Sequence, residues 1–229
     1  MLLLLFDIDG TLLQRAGVEH GRALREAATR VHGVPALDGG TVEVAGRTDG
    51  AIVRDLLLAA GVEAEEADAR WAEVQAAAVE AYEELCPGLS DRVAPGVREL
   101  LEALAGRPDE FRLSLVTGNL EPVARVKLAR AGLGGYFEPG QGGFGSDHLS
   151  RAELPAIARQ RAGGWPRDRT VVIGDTPRDI ACARADGVRV AAVATGPFAI
   201  EALADADAVV DNARALLPVL EDFAASKGV

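Results

Sequence analysis

Two carboxylates, Asp7 and Asp9, stand two residues apart directly after the apolar run Leu2–Phe6. A turn at the end of a strand can present both side chains to one crevice, and Gly10 favours such a turn. One carboxylate can attack phosphorus and form an aspartyl phosphate, while a second one nearby transfers the proton. The spacing therefore predicts a centre whose two acids divide the tasks of phosphoryl transfer.

Two further acids follow a later apolar run, in the segment Gly-Asp-Thr-Pro-Arg-Asp at residues 174–179. If the two runs are neighbouring strands, Asp175 and Asp179 lie beside Asp7 and Asp9. Paired carboxylates repel a phosphate dianion unless a cation lies between them, and ligands that are all oxygen favour Mg²⁺. The sequence therefore predicts a magnesium site completed by water and the substrate phosphate.

Neutral donors follow a third apolar run, in the segment Thr117-Gly118-Asn119. The Thr117 hydroxyl, the Asn119 amide and nearby backbone N–H groups, such as that of Gly118, can bind phosphate oxygens. Such donors stabilise the charge of the transferring group.

The elements that must position these residues are short apolar runs separated by helical patterns. This alternation is typical of a mostly parallel α/β sheet flanked by helices, in which sites form at the carboxyl ends of strands. The polar segments described above stand at three such ends. We expect strands at Leu2–Phe6, 113–116, 171–173, 188–193 and Ala208–Val210.

Between about residues 14 and 88 the strand pattern gives way to helical spacing, for example at Trp71, Val74, Ala78, Tyr82 and Leu85. We expect a helical subdomain at 14–88, inserted into an α/β core formed by 1–13 and 89–229. Further helices are expected near residue 100 and after residues 122, 152, 178 and 212.

Arg47 lies in the predicted subdomain, just before an apolar helix at about residues 52–58. Thr48 or Asp49 can begin that helix as its N-cap. Arg47 could reach a carboxylate or phosphate of the substrate, since its planar fork suits such groups. The residues leave both interpretations open.

These motifs resemble the haloacid dehalogenase superfamily, specifically its phosphatases with a helical cap of the C1 type inserted after the first motif. Residues 7–11 match DxDGT, Thr117 matches the hydroxyl of the second motif, and residues 174–179 match GDxxxD. The resemblance spans nearly the whole chain. It implies Mg²⁺-dependent hydrolysis of a small phosphorylated metabolite through a phosphoaspartyl intermediate.

The resemblance also implies a role for each acid. Asp7 would be the nucleophile and a metal ligand, and Asp9 would be the acid/base residue that also gives the metal its backbone carbonyl. Asp175 would ligate Mg²⁺, and Asp179 would support it directly or through water. Thr117 would bind the phosphoryl group.

The third motif of the family is a cation, commonly Lys followed by Pro. The corresponding stretch here, residues 145–152, offers Arg151, which keeps the charge but replaces a compact ammonium with a planar fork. Lys127 is the alternative, although its spacing from Val123 and Val126 favours an ordinary place on a helix surface.

Composition excludes several classes of protein. A net charge of −11 disfavours binding to nucleic acid. The Leu2–Leu5 run has no basic residue before it and is followed by acids, so it indicates a strand and neither a signal peptide nor a membrane span. Cys86 and Cys182 are far apart and form no zinc or disulfide pattern. We expect a cytoplasmic monomer or homodimer.

A phosphosugar mutase of the same superfamily is the nearest alternative, because it shares the motifs and the type of cap. A dehalogenase is disfavoured by the presence of Asp9. A phosphonatase is disfavoured by Asp9 and by the absence of a lysine from residues 14–88. From another class, a receiver-like or inactive phosphate-binding module would not need so long an insertion, or would have lost one of the acids.

Overall fold

The computed structural model describes residues 1–38 and 42–226. Within these residues, six strands form one sheet: β1 Leu2–Phe6, β2 Phe111–Thr117, β3 Gly143–Phe144, β4 Thr170–Gly174, β5 Arg189–Val193 and β6 Ala208–Val210. Their order in the sheet is β3-β2-β1-β4-β5-β6, and neighbouring strands are parallel. The predicted α/β class is therefore confirmed.

Helices cover both faces of this sheet, which explains why β1 is apolar at every position. The helices involved are α5 Val97–Ala105, α6 Glu121–Ala131, α7 Leu154–Arg161, α8 Pro177–Asp186 and α9 Leu216–Ala225. Leu2, Leu4 and Phe6 pack toward α5, α6 and α9, whereas Leu3 and Leu5 pack toward α7 and α8. These side chains alternate because successive residues of a strand point to opposite faces.

Within the described residues, four α-helices lie between β1 and α5, and we call them with their connecting loops the helical insert. They are α1 Val18–His32, α2 Asp49–Ala59, α3 Ala64–Ala69 and α4 Trp71–Leu85. The buried face of α4, with Val74, Ala78 and Tyr82, packs on the alanine-rich face of α1. All four helices fall within 14–88, although the division into two domains at these bounds stays a prediction.

Among the residues described, no helix has both the length and the apolar character that a membrane span requires.

Candidate active site

One cavity of about 900 Å³ opens at the carboxyl ends of β1, β2 and β4. Its wall joins the polar segments that follow these strands to the α1 and α2 region of the insert. Of the predicted site residues, only Asp179 is not part of the wall, because it lies fully buried behind it. The predicted residues in the wall are Asp7, Asp9, Arg47, Thr117, Gly118, Asn119, Arg151 and Asp175.

Three buried carboxylates, those of Asp7, Asp175 and Asp179, form a cluster whose nearest oxygens lie within 4.8 Å of one another. Burial raises the pKa of Asp7 to about 6; Arg151 opposes this shift, and the neighbouring carboxylates add to it. Burial and repulsion from Asp7 and Asp179 raise the pKa of Asp175 to about 8. A hard divalent cation would relieve this repulsion, so the donor set fits Mg²⁺.

Asp175 sits in a space that two glycines leave open. A Cβ on Gly10, whose φ is +90°, would lie 2.1 Å from its Oδ2 atom, and a Cβ on Gly196 would lie 1.7 Å from the same oxygen. The Thr11 hydroxyl donates to the other oxygen, Oδ1, over 3.0 Å. Thr11 therefore orients this carboxylate, a role that sequence analysis did not assign although Thr11 belongs to the first motif.

Both oxygens of Asp179 are already occupied by the protein. Oδ2 accepts from the backbone N–H groups of Asp175 and Thr176 and from the Thr176 hydroxyl, at 3.2, 3.0 and 2.7 Å. Oδ1 accepts from Arg151 at 2.5 Å. Thr176 in turn accepts from the Asp179 N–H, which completes a capping box at the start of α8. These bonds favour a supporting role for Asp179, while its part in binding a metal stays a prediction.

Arg151 lies beside the predicted nucleophile, in a short 3₁₀ turn before α7. One guanidinium nitrogen, Nη2, is 3.1 Å from Asp7 Oδ1 and 2.5 Å from Asp179 Oδ1. The guanidinium is almost fully buried, and the Nε atom is buried without a partner in the described part of the chain. Arg151 is thus in contact with Asp7, while its role as the cation of the third motif stays a prediction.

Asp9 pairs with a different cation, Lys127, whose Nζ atom lies 2.5 Å from Asp9 Oδ2. The expected surface position of Lys127 is wrong: the side chain is fully buried. Burial is the largest single influence on Asp9 and acts to raise its pKa, but Lys127, His20 and the hydrogen bonds from Lys127 and Asn119 together outweigh burial, so the pKa is lowered. The sequence contained one indication of this burial, because the spacing of Val123, Lys127 and Ala131 puts them on one face of α6, which is its buried side.

Thr117 ends β2 and is fully buried. Its Oγ1 accepts from the Asn119 side chain at 2.9 Å, so the hydroxyl proton remains available for a phosphoryl oxygen. Gly118 lets the insert approach closely, since a Cβ there would lie 1.9 Å from the Arg47 carbonyl oxygen. The Gly118 carbonyl also accepts from the Asp49 N–H at 2.8 Å.

The Arg47 guanidinium binds α2, the helix that begins two residues after it. Nη2 lies 2.6 Å from Asp55 Oδ2 and 3.2 Å from the Ala51 carbonyl oxygen. Thr48 is the N-cap of α2, because its hydroxyl accepts from the Ala51 N–H at 3.3 Å. Within residues 1–38 and 42–226, the Arg25 side chain, which lines the same cavity, has no hydrogen bond or ion pair. Recognition of substrate by Arg47 stays a prediction, and Arg25 is a second candidate that sequence analysis missed.

Comparison with known proteins agrees with this geometry. Residues 4–184 match the model of the haloacid dehalogenase-like hydrolase family, so the chain belongs to that family. It is 33% identical to the plasmid-encoded phosphoglycolate phosphatase of Cupriavidus necator over 94% of this chain and 91% of the relative. It is 29% identical to the phosphoglycolate phosphatase of Rhodospirillum rubrum over 96% of this chain and 87% of the relative.

The fold also resembles the crystal structure of a β-phosphoglucomutase from Clostridium difficile, with a TM-score of 0.67. The match covers 98% of this chain and 97% of the other at 19% identity, so it speaks for the fold alone.

Proposed function

We propose that this protein is a Mg²⁺-dependent phosphatase that hydrolyses a small organic phosphate monoester through a phosphoaspartyl intermediate on Asp7. The observation that carries the proposal is the position of Asp7, which lines the cavity 3.1 Å from the Arg151 guanidinium and within the carboxylate cluster. Membership of the hydrolase family and similarity to phosphatases support it.

In the first step, a carboxylate oxygen of Asp7 forms a bond to phosphorus while the bond to the leaving oxygen breaks. Asp9 gives its proton to that leaving alkoxide. In the second step, water attacks phosphorus, Asp9 takes its proton, and the bond between Asp7 and phosphorus breaks. Thr117 and Asn119 would hold the phosphoryl oxygens during both steps.

The metal would be held by the carboxylates of Asp7 and Asp175 and the backbone carbonyl of Asp9, with Asp179 in support. When bound, Mg²⁺ supplies positive charge that neutralises phosphate and lets an anionic nucleophile approach it. Arg151 would add positive charge beside Asp7, where its guanidinium already lies.

The helical insert would serve as the cap that selects the leaving group. Its residues contribute to the cavity wall the apolar side chains of Leu24, Ile52 and Leu56 and the cations Arg25 and Arg47. A small phosphate ester with a carboxylate, such as phosphoglycolate, suits a wall that carries arginine. The proposed substrate class rests on this chemistry and on the two phosphatase relatives.

The test is a panel of phosphorylated metabolites incubated with the protein and Mg²⁺, followed by measurement of released phosphate. We expect release from at least one small monoester and none after chelation of the metal. The Asp7→Asn variant is the matched control, because it keeps the shape of the side chain. Equal release by this variant would contradict the covalent mechanism.

Product analysis of the same reactions addresses the alternatives. A phosphosugar mutase would return an isomerised sugar phosphate with little free phosphate. A receiver-like or non-catalytic phosphate-binding module would turn over no ester at all. The expected products are free phosphate and an unphosphorylated alcohol in equal amounts.

A further inference from the structure

Lys127 lies where a lysine is costly to place. Its side chain is fully buried on the apolar face of α6, among residues such as Val123, Ala124 and Leu128. Burying an ammonium group costs several kcal/mol unless charged or polar partners compensate for the lost water. The partners here are Asp9 Oδ2 at 2.5 Å and His20 Nδ1 at 3.2 Å. The burial of this charge is therefore explained by these two contacts.

The contacts continue into the helical insert. His20, which is buried in α1, lies with its Nε2 atom 2.9 Å from Asp49 Oδ2 in α2. A charged lysine can only donate hydrogen bonds, so His20 Nδ1 accepts the hydrogen bond from Lys127. The other ring nitrogen, Nε2, then carries a hydrogen and donates it to Asp49. Asp49 Oδ2 also accepts from the Leu120 N–H of the core at 2.7 Å.

We call Asp9, Lys127, His20 and Asp49 the buried array. Two members come from the core and two from the insert, and each interacts with the next by a direct polar contact. None of these contacts involves Arg151, which pairs with Asp7 and Asp179. Lys127 and Arg151 thus hold different carboxylates.

The array leaves the two oxygens of Asp9 in different surroundings. Oδ2 receives Lys127 and also the Asn119 side-chain amide, at 2.5 and 2.9 Å. Oδ1 is buried and has no partner within the described residues, while Asp9 itself lines the cavity. Fixing one oxygen with two donors determines where the other one points. Because the Asp9 side chain is 32% exposed while its Oδ1 atom is buried, the oxygen that faces the cavity is Oδ2, which Lys127 and Asn119 hold in place.

We propose that Lys127 is a positioning residue that orients Asp9 for proton transfer, and that His20 and Asp49 link this orientation to the position of the insert. The inference rests on the proposed function, because it concerns the acid/base step of that reaction. Lys127 does not line the cavity, so it would act through Asp9 alone.

Misplacing Asp9 should slow the hydrolysis of some phosphate esters more than that of others. Phenolate is a far stronger base than p-nitrophenolate, so departure of phenol needs a proton from Asp9 much more than departure of p-nitrophenol does. A positioned general acid contributes about 10²–10⁴-fold. Loss of Lys127 should therefore lower kcat/KM for phenyl phosphate by roughly a hundredfold and for p-nitrophenyl phosphate by less than roughly tenfold.

The experiment compares these two esters, with Mg²⁺, in the wild type, Lys127→Met and Lys127→Arg. Arg130→Met is the matched control, because Arg130 lies exposed on the same helix and its loss removes the same charge. We expect a selective loss in Lys127→Met, partial recovery in Lys127→Arg and no change in the control. Equal losses on both esters, or no loss on either, would overturn the proposal.

Two further measurements keep the test decisive. If Lys127→Met does not fold by circular dichroism, His20→Gln replaces it and should show the same selectivity to a smaller extent; an unselective His20→Gln would overturn the array. A thermal double-mutant cycle between Asp9→Asn and Lys127→Met needs no activity and should be strongly non-additive. An inactive wild type with that coupling intact refutes the proposed function alone, whereas additive effects overturn the array.

Discussion

Without metal, the carboxylate cluster should make the protein less stable as the pH rises. Both Asp7 and Asp175 have a pKa in the folded protein above the ordinary value of 3.8, at about 6 and about 8. The folded state therefore holds these protons more tightly than the unfolded chain does. Between pH 4 and pH 8 the folded state binds more protons, so its stability falls as the pH increases through this window.

The size of the effect follows from the shift of Asp7 alone, which is about two pKa units at a fully buried site. Each unit corresponds to about 1.4 kcal/mol, so ionisation of Asp7 costs about 3 kcal/mol of unfolding free energy. For a chain of this length that is about 6–12 °C in Tm. Asp175 extends the loss toward pH 8.

The assay is thermal unfolding in EDTA from pH 5 to pH 8, repeated with excess Mg²⁺. We expect Tm to fall with pH in EDTA, and the stabilisation by Mg²⁺ to grow with pH because the cation binds the ionised carboxylates. Asp175→Asn is the control, since it keeps the shape and removes one charge from the cluster. A flat or rising Tm in EDTA, or an unchanged slope in Asp175→Asn, would refute the reasoning.

Three other predictions concern turnover. Asp7→Asn should fold normally and lose roughly a thousandfold or more in kcat, measured as phosphate release, because the nucleophile is gone. Ca²⁺ should support less than roughly a tenth of the activity with Mg²⁺, since its longer bonds misplace the reacting groups; equal rates after chelation and readdition would contradict this. Arg47→Ala should lower kcat/KM for a carboxylated ester by roughly ten- to a hundredfold and spare p-nitrophenyl phosphate, and Arg25→Ala run in parallel identifies which arginine binds the carboxylate.

The parallel sheet was predictable because β1, β2, β4, β5 and β6 carry apolar runs bounded by polar turns. The short strand β3, Gly143–Phe144, was not, since two residues have no periodicity to detect. Its pairing with β2 depends on the surrounding tertiary structure.

The residues of the candidate site were likewise predictable only in part. Thr117 is the last residue of β2, and Asp7 and Asp175 directly follow β1 and β4. Because these three strands are neighbours, strand order alone brings the three residues together. Lys127 was misplaced because helical spacing gives the face of a helix but not what covers it. Its partner Asp9 lies 118 residues away in sequence, a contact that only the folded chain defines.

The central place of β1 in the sheet has a consequence for measuring this protein. The residues of Leu2–Phe6 are at most 1% exposed, and the Asp7 N–H continues the ladder by donating to the Ile173 carbonyl at 2.9 Å. Amides in such a strand exchange with solvent mainly through global unfolding, not through fraying. The predicted nucleophile is therefore displaced only when the whole sheet opens. The rate of turnover is then proportional to the amount of folded protein in a sample. An activity assay can therefore serve as the probe in a denaturation experiment.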